Sequence, residues 1–418
     1  MTDAGRTILI TAINYAPETS GTAPYTTDLA EHWATRHRVT IVAGVPHYPA
    51  WRIAPGYRRL WSEERLNGVR LLRRLHYVPP RQSALHRAAY EATFLVNGAI
   101  APVERPDAVI GVVPSLSSGL LARLAASRWR VPYSLIFQDL MGPGAAQSGM
   151  AGGNRVSRAV GRGEAWAATN ACRIAIVSEA FRPYLVDRGV PSDRIDLLRN
   201  WTHVGEPTKP RDATRARMGW PVDRRIILHA GNMGLKQGLE QVISAARVAS
   251  SRGTPDQFVL MGEGNQRAML EAMAGDVPSI SFMPFQPEAD VPDILAAADV
   301  LLISERSSVV DMSLPSKLTS YLIAGRPIVA AIRSEGATAT ELKKSAAGIV
   351  VAPDDPDELL GAVAHLSEMP DLARAYAEAG RRYAVENLGR QPALALADAF
   401  LAATLSGRGP TRKDPVSE

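Results

Sequence analysis

The feature that most restricts the fold is an alternation of textures that runs the length of the chain and starts over once. Short apolar runs rich in β-formers stand at Thr7–Ala12, Val39–Val42, Ala108–Val112, Tyr133–Phe137 and Arg173–Val177. Between them lie segments of helical period, such as Pro24–Arg36, which carries Leu29 and Trp33 on one face. Asn200–Pro210 is polar and holds two prolines, and the pattern resumes beyond it. The second series is Ile226–Ala230, Phe258–Met261, Ser279–Phe282, Val300–Ser304 and Pro327–Ala331. Strands separated by helix-length connections pair in parallel, and parallel sheets are covered on both faces. The pattern therefore predicts an α/β chain of two Rossmann-like, doubly wound domains, residues 1–200 and 201–390, facing across a cleft.

Such sheets carry their ligand loops at the carboxyl ends of the strands. Four candidates follow strands or open helices. Pro17–Ala23 holds Glu18, Gly21 and Thr22 before the first helix. Gly231–Gly238 holds Asn232, Lys236 and Gln237, with glycines that admit a ligand close to backbone and a lysine that offers a point charge. Gly262-Glu263-Gly264 follows the next strand. Pro315-Ser316-Lys317 opens a helix that Gly325 and Pro327 close, and its free N–H groups suit a phosphate. Each alone reads equally as a capped helix or an ordinary βα turn, but their succession on both domains points to a ligand. Pro284 and Phe285, after Ser279–Phe282, are the candidate base-binding groups. Asp355-Pro356-Asp357 has a metal-binding form but precedes a helical segment, Pro356–Leu366, and reads as capping carboxylates.

Composition excludes several classes. With 46% apolar and 21% charged residues the chain is of soluble globular type, and no stretch approaches 18 apolar residues. The single Cys172 rules out an intramolecular disulfide, and no Cys/His cluster has metal-ligand spacing, so no metal is expected and a cytoplasmic location is. Residues 1–200 hold 24 Arg, no Lys and 15 acidic residues, a net of +9, while residues 201–418 hold 23 basic and 27 acidic residues, a net of −4. Residues 51–87 contain nine Arg interleaved with Trp51, Tyr57, Trp61 and Tyr77. A helix over Ser83–Ala99 follows, with Leu85, Ala89, Ala92, Leu95 and Val96 along one side. That combination suits docking on an anionic membrane surface at the inner face of the cell membrane. The alternative is a solvated or ion-paired arginine face. No nucleic-acid module is recognisable. Residues 407–418 read as a flexible tail.

Taken together the motifs resemble retaining glycosyltransferases of the GT-B fold, glycosyltransferase family 4. The bacterial exopolysaccharide and O-antigen subgroup, with its colanic-acid-type transferases, is the best match. The resemblance covers nearly the whole chain. It is carried by Asn14-Tyr15-Ala16-Pro17-Glu18 with Gly21, by Pro46-His47-Tyr48-Pro49 and by Gln138-Asp139-Leu140. In the second half it is carried by Ala230–Gly234, Gln237-Gly238-Leu239-Glu240 and Pro315-Ser316-Lys317. It implies a UDP- or GDP-sugar donor with no other cofactor, and transfer of a hexose-type sugar with retention. The implied acceptor is a glycan or polyprenyl-linked glycan, with a soluble secondary metabolite as the alternative. A helix at about 391–405 is expected to cross back to the first domain. Donor phosphates would sit at Lys317, Lys236 and helix N-termini, Asp139 would orient or deprotonate the acceptor hydroxyl, and Glu18, His47, Tyr48 and Gln138 would lie on the acceptor side.

Three departures stand out. The family's Glu-x7-Glu pair falls on Met312 and Ser320, its phosphate-loop Arg and Lys on Asn232 and Gln237, and its sugar-facing His on Gln138. A GT-B epimerase or a non-catalytic binding protein would share the fold.

Overall fold

The computed structural model describes residues 5–19, 21–80, 83–140, 153–202, 204–308 and 316–407. Contacts divide the chain into two compact units, Met1–Arg199 with the segment from Ala393 onward, and Asn200–Pro392.

The first unit is built on eight strands. They are β1 (Thr7–Ala12), β2 (Arg38–Gly44), β3 (Trp61–Leu66), β4 (Val69–Arg74), β5 (Ala108–Val113), β6 (Tyr133–Phe137), β7 (Ile174–Ile176) and β8 (Ile195–Leu197). Their order is β3-β4-β2-β1-β5-β6-β7-β8, parallel except for the antiparallel β3–β4 pair. Strands β1, β5 and β6 are buried at every residue, as continuous apolar runs in a doubly covered sheet must be.

The β3–β4 hairpin corrects the reading of residues 51–87. Asn67 and Gly68 both take positive φ (48° and 84°), the geometry of a tight hairpin turn. The hairpin turns Arg73 and Arg74 inward, where both are buried. Arg73 pairs with Glu64, lies over the Tyr57 ring and donates to the Ala16 carbonyl. Arg70 pairs with Glu63 and Arg87 with Glu91. Four of the nine arginines, Arg70, Arg73, Arg74 and Arg87, are therefore bound up in the fold, and Arg81 lies outside the described residues.

The second unit has six parallel strands: β9 (Arg225–Ala230), β10 (Asp256–Met261), β11 (Ile280–Met283), β12 (Val300–Ser304), β13 (Ile328–Ala331) and β14 (Gly348–Val351). The order is β11-β10-β9-β12-β13-β14. Apolar clusters cover the two faces, one built on Leu228, Ile303 and Tyr321 and the other on Ile227, Leu260 and Val363. Asp355 caps the helix Pro356–Glu368 by accepting from the Glu358 N–H at 2.9 Å, and Asp357 pairs with Arg252, so this Asp-x-Asp is occupied by structural partners.

The last described helix, Arg390–Ser406, belongs to the first unit for most of its length. It buries Ala393, Leu394, Ala397, Phe400 and Leu401. Asp398 lies 3.0 Å from Nε2 of His32, in the last turn of the helix Ala23–Ala34, and accepts at 2.5 Å from Arg36, just past that helix's end. Thr404 and Ser134 of β6 share a hydrogen bond of 2.7 Å.

Candidate functional site

In the second sheet the strand order reverses between β9 and β12, and a crevice forms where neighbouring connections leave to opposite faces. A cavity of about 330 Å³ lies there. Its walls come from the ends of three strands: Ala230 ending β9 with Gly231 after it, Met261 ending β10, and Ser304 ending β12 with Glu305 after it. The helix Ser316–Ile323 adds Lys317, Ser320 and Tyr321, and the β11 loop adds Phe285 and Gln286. Ser304 fixes the mouth by donating to the Gln237 carbonyl at 2.7 Å, while Gln241 donates to Ser304 at 2.9 Å. Tyr321 accepts from the Ala230 N–H at 2.7 Å and so ties the helix to the end of β9.

Lys317 stands in the first turn of that helix, with its Nζ 3.0 Å from Nε2 of His229. His229 is a fully buried β9 residue. Burial, and next the charge of Lys317, hold its imidazole well below the usual histidine range, so it is neutral and can accept from the lysine. Burial also lowers Lys317 to about 7, against the opposing pull of Glu305. The cavity therefore contains a half-neutral amine beside a helix N-terminus, and the carboxylate of Glu305 in its lining. Such an arrangement is able to accept a phosphate group, whose negative charge would favour the protonated lysine.

Of the expected donor residues, Gly231, Asn232, Gln237, Phe285 and Lys317 line this cavity. Pro315 lies outside the described residues, as does the side chain of Ser316. Four expected groups are placed outside this lining. Lys236 is exposed, and only its carbonyl is engaged, by the Arg306 N–H, so it stands apart from the cavity wall. Gly262 and Gly264 serve backbone packing. A Cβ on Gly262 would lie 1.8 Å from the Gly231 carbonyl oxygen, and one on Gly264 2.3 Å from that of Met233. Glu263 and Glu271 both pair with Arg267. Pro284 contributes its carbonyl to Gln286, and the cavity wall there is Phe285 and Gln286.

In the first unit, Glu18 and His47 are interior. One Glu18 oxygen accepts from the N–H groups of His47 and Tyr48 at 2.7 and 2.8 Å, and the other from Asn14 at 2.9 Å. His47 lies 2.9 Å from the Val45 carbonyl and 3.1 Å from the Tyr90 hydroxyl. Their partners are the protein's own groups, and they clamp the loops after β1 and β2 together. Gly21 (φ +67°) leaves room for the Tyr48 ring, and the Thr22 carbonyl starts the helix by accepting from Thr26. Gln138 follows β6 with its N–H on Val113. Asp139 is exposed, and its Oδ1 accepts from the Leu140 N–H.

Sequence reasoning missed His229, Glu305, Ser304 and Tyr321. A histidine inside an apolar strand and a tyrosine on a core-facing helix stripe read as packing. Only their place at strand and helix ends around a switch point marks them.

The chain matches the glycosyl transferase 4-like domain over residues 20–201 and the glycosyl transferases group 1 over residues 210–383. It is 30% identical over 406 residues to the Escherichia coli K12 glycosyl transferase WcaI, named for colanic acid biosynthesis, covering 92% of this chain and 98% of that one. Among solved structures it resembles Anabaena HepE in complex with UDP-glucose, with a TM-score of 0.69, 15% identity, and 95% and 100% of the two chains covered. It also resembles WaaG, a glycosyltransferase of lipopolysaccharide biosynthesis, with a TM-score of 0.65, 17% identity, and 96% and 100% covered.

Proposed function

This chain belongs to the glycosyltransferase family its relatives define and is a glycosyltransferase of the GT-B fold; from that premise we propose its finer reaction. It moves a hexose from a UDP- or GDP-sugar to a lipid-linked glycan at the inner face of the cell membrane, with retention and without a metal. The observation that carries this reading is the cavity at the β9/β12 switch point, with Lys317 at a helix N-terminus beside neutral His229. Cleavage of the glycosyl–phosphate bond leaves a nucleoside diphosphate with added negative charge. Catalysis consists of stabilising that charge more in the transition state than in the bound donor. Lys317 and the first N–H groups of its helix do this in place of a cation. Phe285 and Gln286 face the base, and Asp139 orients the acceptor hydroxyl. The relative named for colanic acid biosynthesis and the lipopolysaccharide-related neighbour support a polysaccharide acceptor.

The test is a panel of UDP- and GDP-sugars scored first for binding by thermal shift and then for transfer to polyprenyl-diphosphate-linked acceptors. Donor at about 100 times its dissociation constant adds roughly 2.7 kcal/mol to the unit that binds it. Transfer continues in excess EDTA, and the product keeps the donor's anomeric configuration by NMR. Complete loss of transfer with EDTA, restored by Mg²⁺, overturns the metal-free reading.

A further inference from the structure

We infer that the outward face of the helix Ala84–Ala99, with the apolar groove beside it, is the surface by which the first unit docks on an anionic lipid bilayer. The inference rests on the lipid-linked acceptor proposed above and names the surface that would meet the lipid.

A surface helix normally turns a polar stripe to water. This one turns apolar residues both ways. Tyr90 and Phe94 are buried against the fold, and Gly98 is closed in by Leu121. On the outside stand Leu85 (81% exposed), Ala88, Ala92, Val96 (66%) and Ala99, at steps of three and four, so they form one stripe along a helix about 24 Å long. The helix carries two charged groups, Arg87 and Glu91, and both are engaged within the protein. Arg87 lies over the Tyr90 ring and pairs with Glu91, while Glu91 accepts from Ser115 and from the Ser117 N–H and hydroxyl. The Thr93 hydroxyl is likewise spent on the Ala89 carbonyl. The stripe itself, Leu85, Ala88, Ala92, Val96 and Ala99, holds no charged or polar side chain.

Beside the stripe runs an open groove of about 760 Å³ whose walls are almost entirely apolar, lined by Ile53, Leu60, Leu75, Val78, Val96 and Ile100. Leu60, Trp61 and Ile100 extend it as exposed surface. Contiguous apolar surface of this kind on a water-soluble chain marks an interface. Its charge says with what. Arg58 and Arg59 immediately precede Leu60 and Trp61 and are exposed, as are Arg52 and Arg65. An apolar stripe with an indole and arginines at its border matches the layered chemistry of a bilayer, acyl chains next to anionic headgroups.

The arginines that carry this are Arg58 and Arg59. Arg73 and Arg74 lie in the core, and their replacement would report on folding instead. The experiment uses the full chain with phosphatidylcholine vesicles, with and without phosphatidylglycerol. The wild type sediments with anionic vesicles, and binding weakens as salt rises. Val96→Glu/Ile100→Glu, at two exposed positions, keeps the wild-type melting temperature and nucleotide-induced thermal shift but stays in the supernatant. Arg58→Ala/Arg59→Ala binds about fivefold more weakly per arginine. Recovery of the wild type in the supernatant with every vesicle overturns the inference. So does equal binding to neutral vesicles, or a wild-type dimer that Val96→Glu/Ile100→Glu dissolves while vesicle binding is absent. Nucleotide binding by the second unit is read independently in each sample. Loss of docking with binding intact therefore leaves the transferase reading standing, and the converse result sinks that reading alone.

Discussion

At the scale of single residues, Lys317 decides how the β9/β12 cavity, the proposed donor site, behaves. Its ammonium is lowered to about 7 by burial, so at neutral pH roughly half of the free protein carries a neutral amine there. A diphosphate bound against Nζ favours the charged form and raises that pKa. Between the free and bound values the complex holds more protons than the free protein, so binding takes up a proton and affinity falls as pH rises. Below pH 7 the lysine is charged in both states and the linkage vanishes. The expected result is a nucleotide dissociation constant that is flat below pH 7 and climbs by up to about tenfold per unit above it. Calorimetry at pH 8 in buffers of different ionisation enthalpy should show close to one proton taken up, and Lys317→Ala should abolish the uptake. A pH-independent affinity would mean that the lysine stays charged throughout. Turnover of Lys317→Ala should fall about 100-fold, the scale of losing one preorganised donor.

The same residue shows what a sequence can and cannot reveal of a site. Lys317 is legible because a Pro-Ser-Lys triplet at a helix start is a local signal. His229 beneath it is not, because its role exists only once β9 and the helix Ser316–Ile323 lie side by side, 88 residues apart in the chain. Glu18 and His47 mislead for the opposite reason. Polar residues in a loop look available until the fold saturates them with the backbone of a neighbouring loop.

At the scale of elements, the loops after β9 and β10 work as one stacked pair. The Gly231 N–H donates to the Met261 carbonyl, the Met233 N–H to that of Glu263, and Gly262 (φ +150°) lies where a Cβ would enter the Gly231 carbonyl. Gly262→Ala should therefore cost about 3 kcal/mol, from strain at a glycine-only φ added to backbone overlap, and should distort the cavity floor. Denaturant unfolding measures the first effect and donor affinity the second. A neutral outcome would require the two loops to part without loss. The helix Pro356–Glu368 allows a sharper contrast. Asp355→Ala removes an N-cap and should cost about 1 kcal/mol, while Asp357→Ala removes an exposed ion pair and should cost under about 0.5 kcal/mol. Neither should lower turnover, and a large loss of activity in both would revive a metal role for the pair.

Element by element, the interior strands are legible because burial on both faces demands unbroken apolar runs. Tyr133–Phe137 and Val300–Ser304 fall on β6 and β12 residue for residue. The hairpin β3–β4 is not, because Trp61–Leu66 is a largely exposed edge strand with three consecutive charged residues, and Val69–Arg74 buries arginines whose partners lie outside the segment. A pattern argument reads arginine as surface. It cannot see that Glu64, Tyr57 and the Ala16 carbonyl wait for Arg73.

At the scale of the whole molecule, the chain begins and ends its described course in the same compact unit. Phe400 is buried in the helix Arg390–Ser406, which the ion pairs of Asp398 and the Thr404–Ser134 hydrogen bond tie to the helix Ala23–Ala34 and to β6. The two units have separate sheets and separate cores, so they can unfold as distinct cooperative transitions. A large-to-small change at the far end of the sequence should then strike the unit that holds the beginning. Phe400→Ala removes a buried ring and should destabilise the first unit by about 3–5 kcal/mol. Calorimetry resolves this from an effect on the second unit, because saturating nucleotide raises only the transition of the unit that contains the β9/β12 cavity. The expected trace has one transition moved down and insensitive to nucleotide, and one at its wild-type position with the full nucleotide shift. If Phe400→Ala instead lowers the nucleotide-sensitive transition, the last helix stabilises the donor-binding unit. If both transitions fall by equal amounts, the chain unfolds as a single cooperative block.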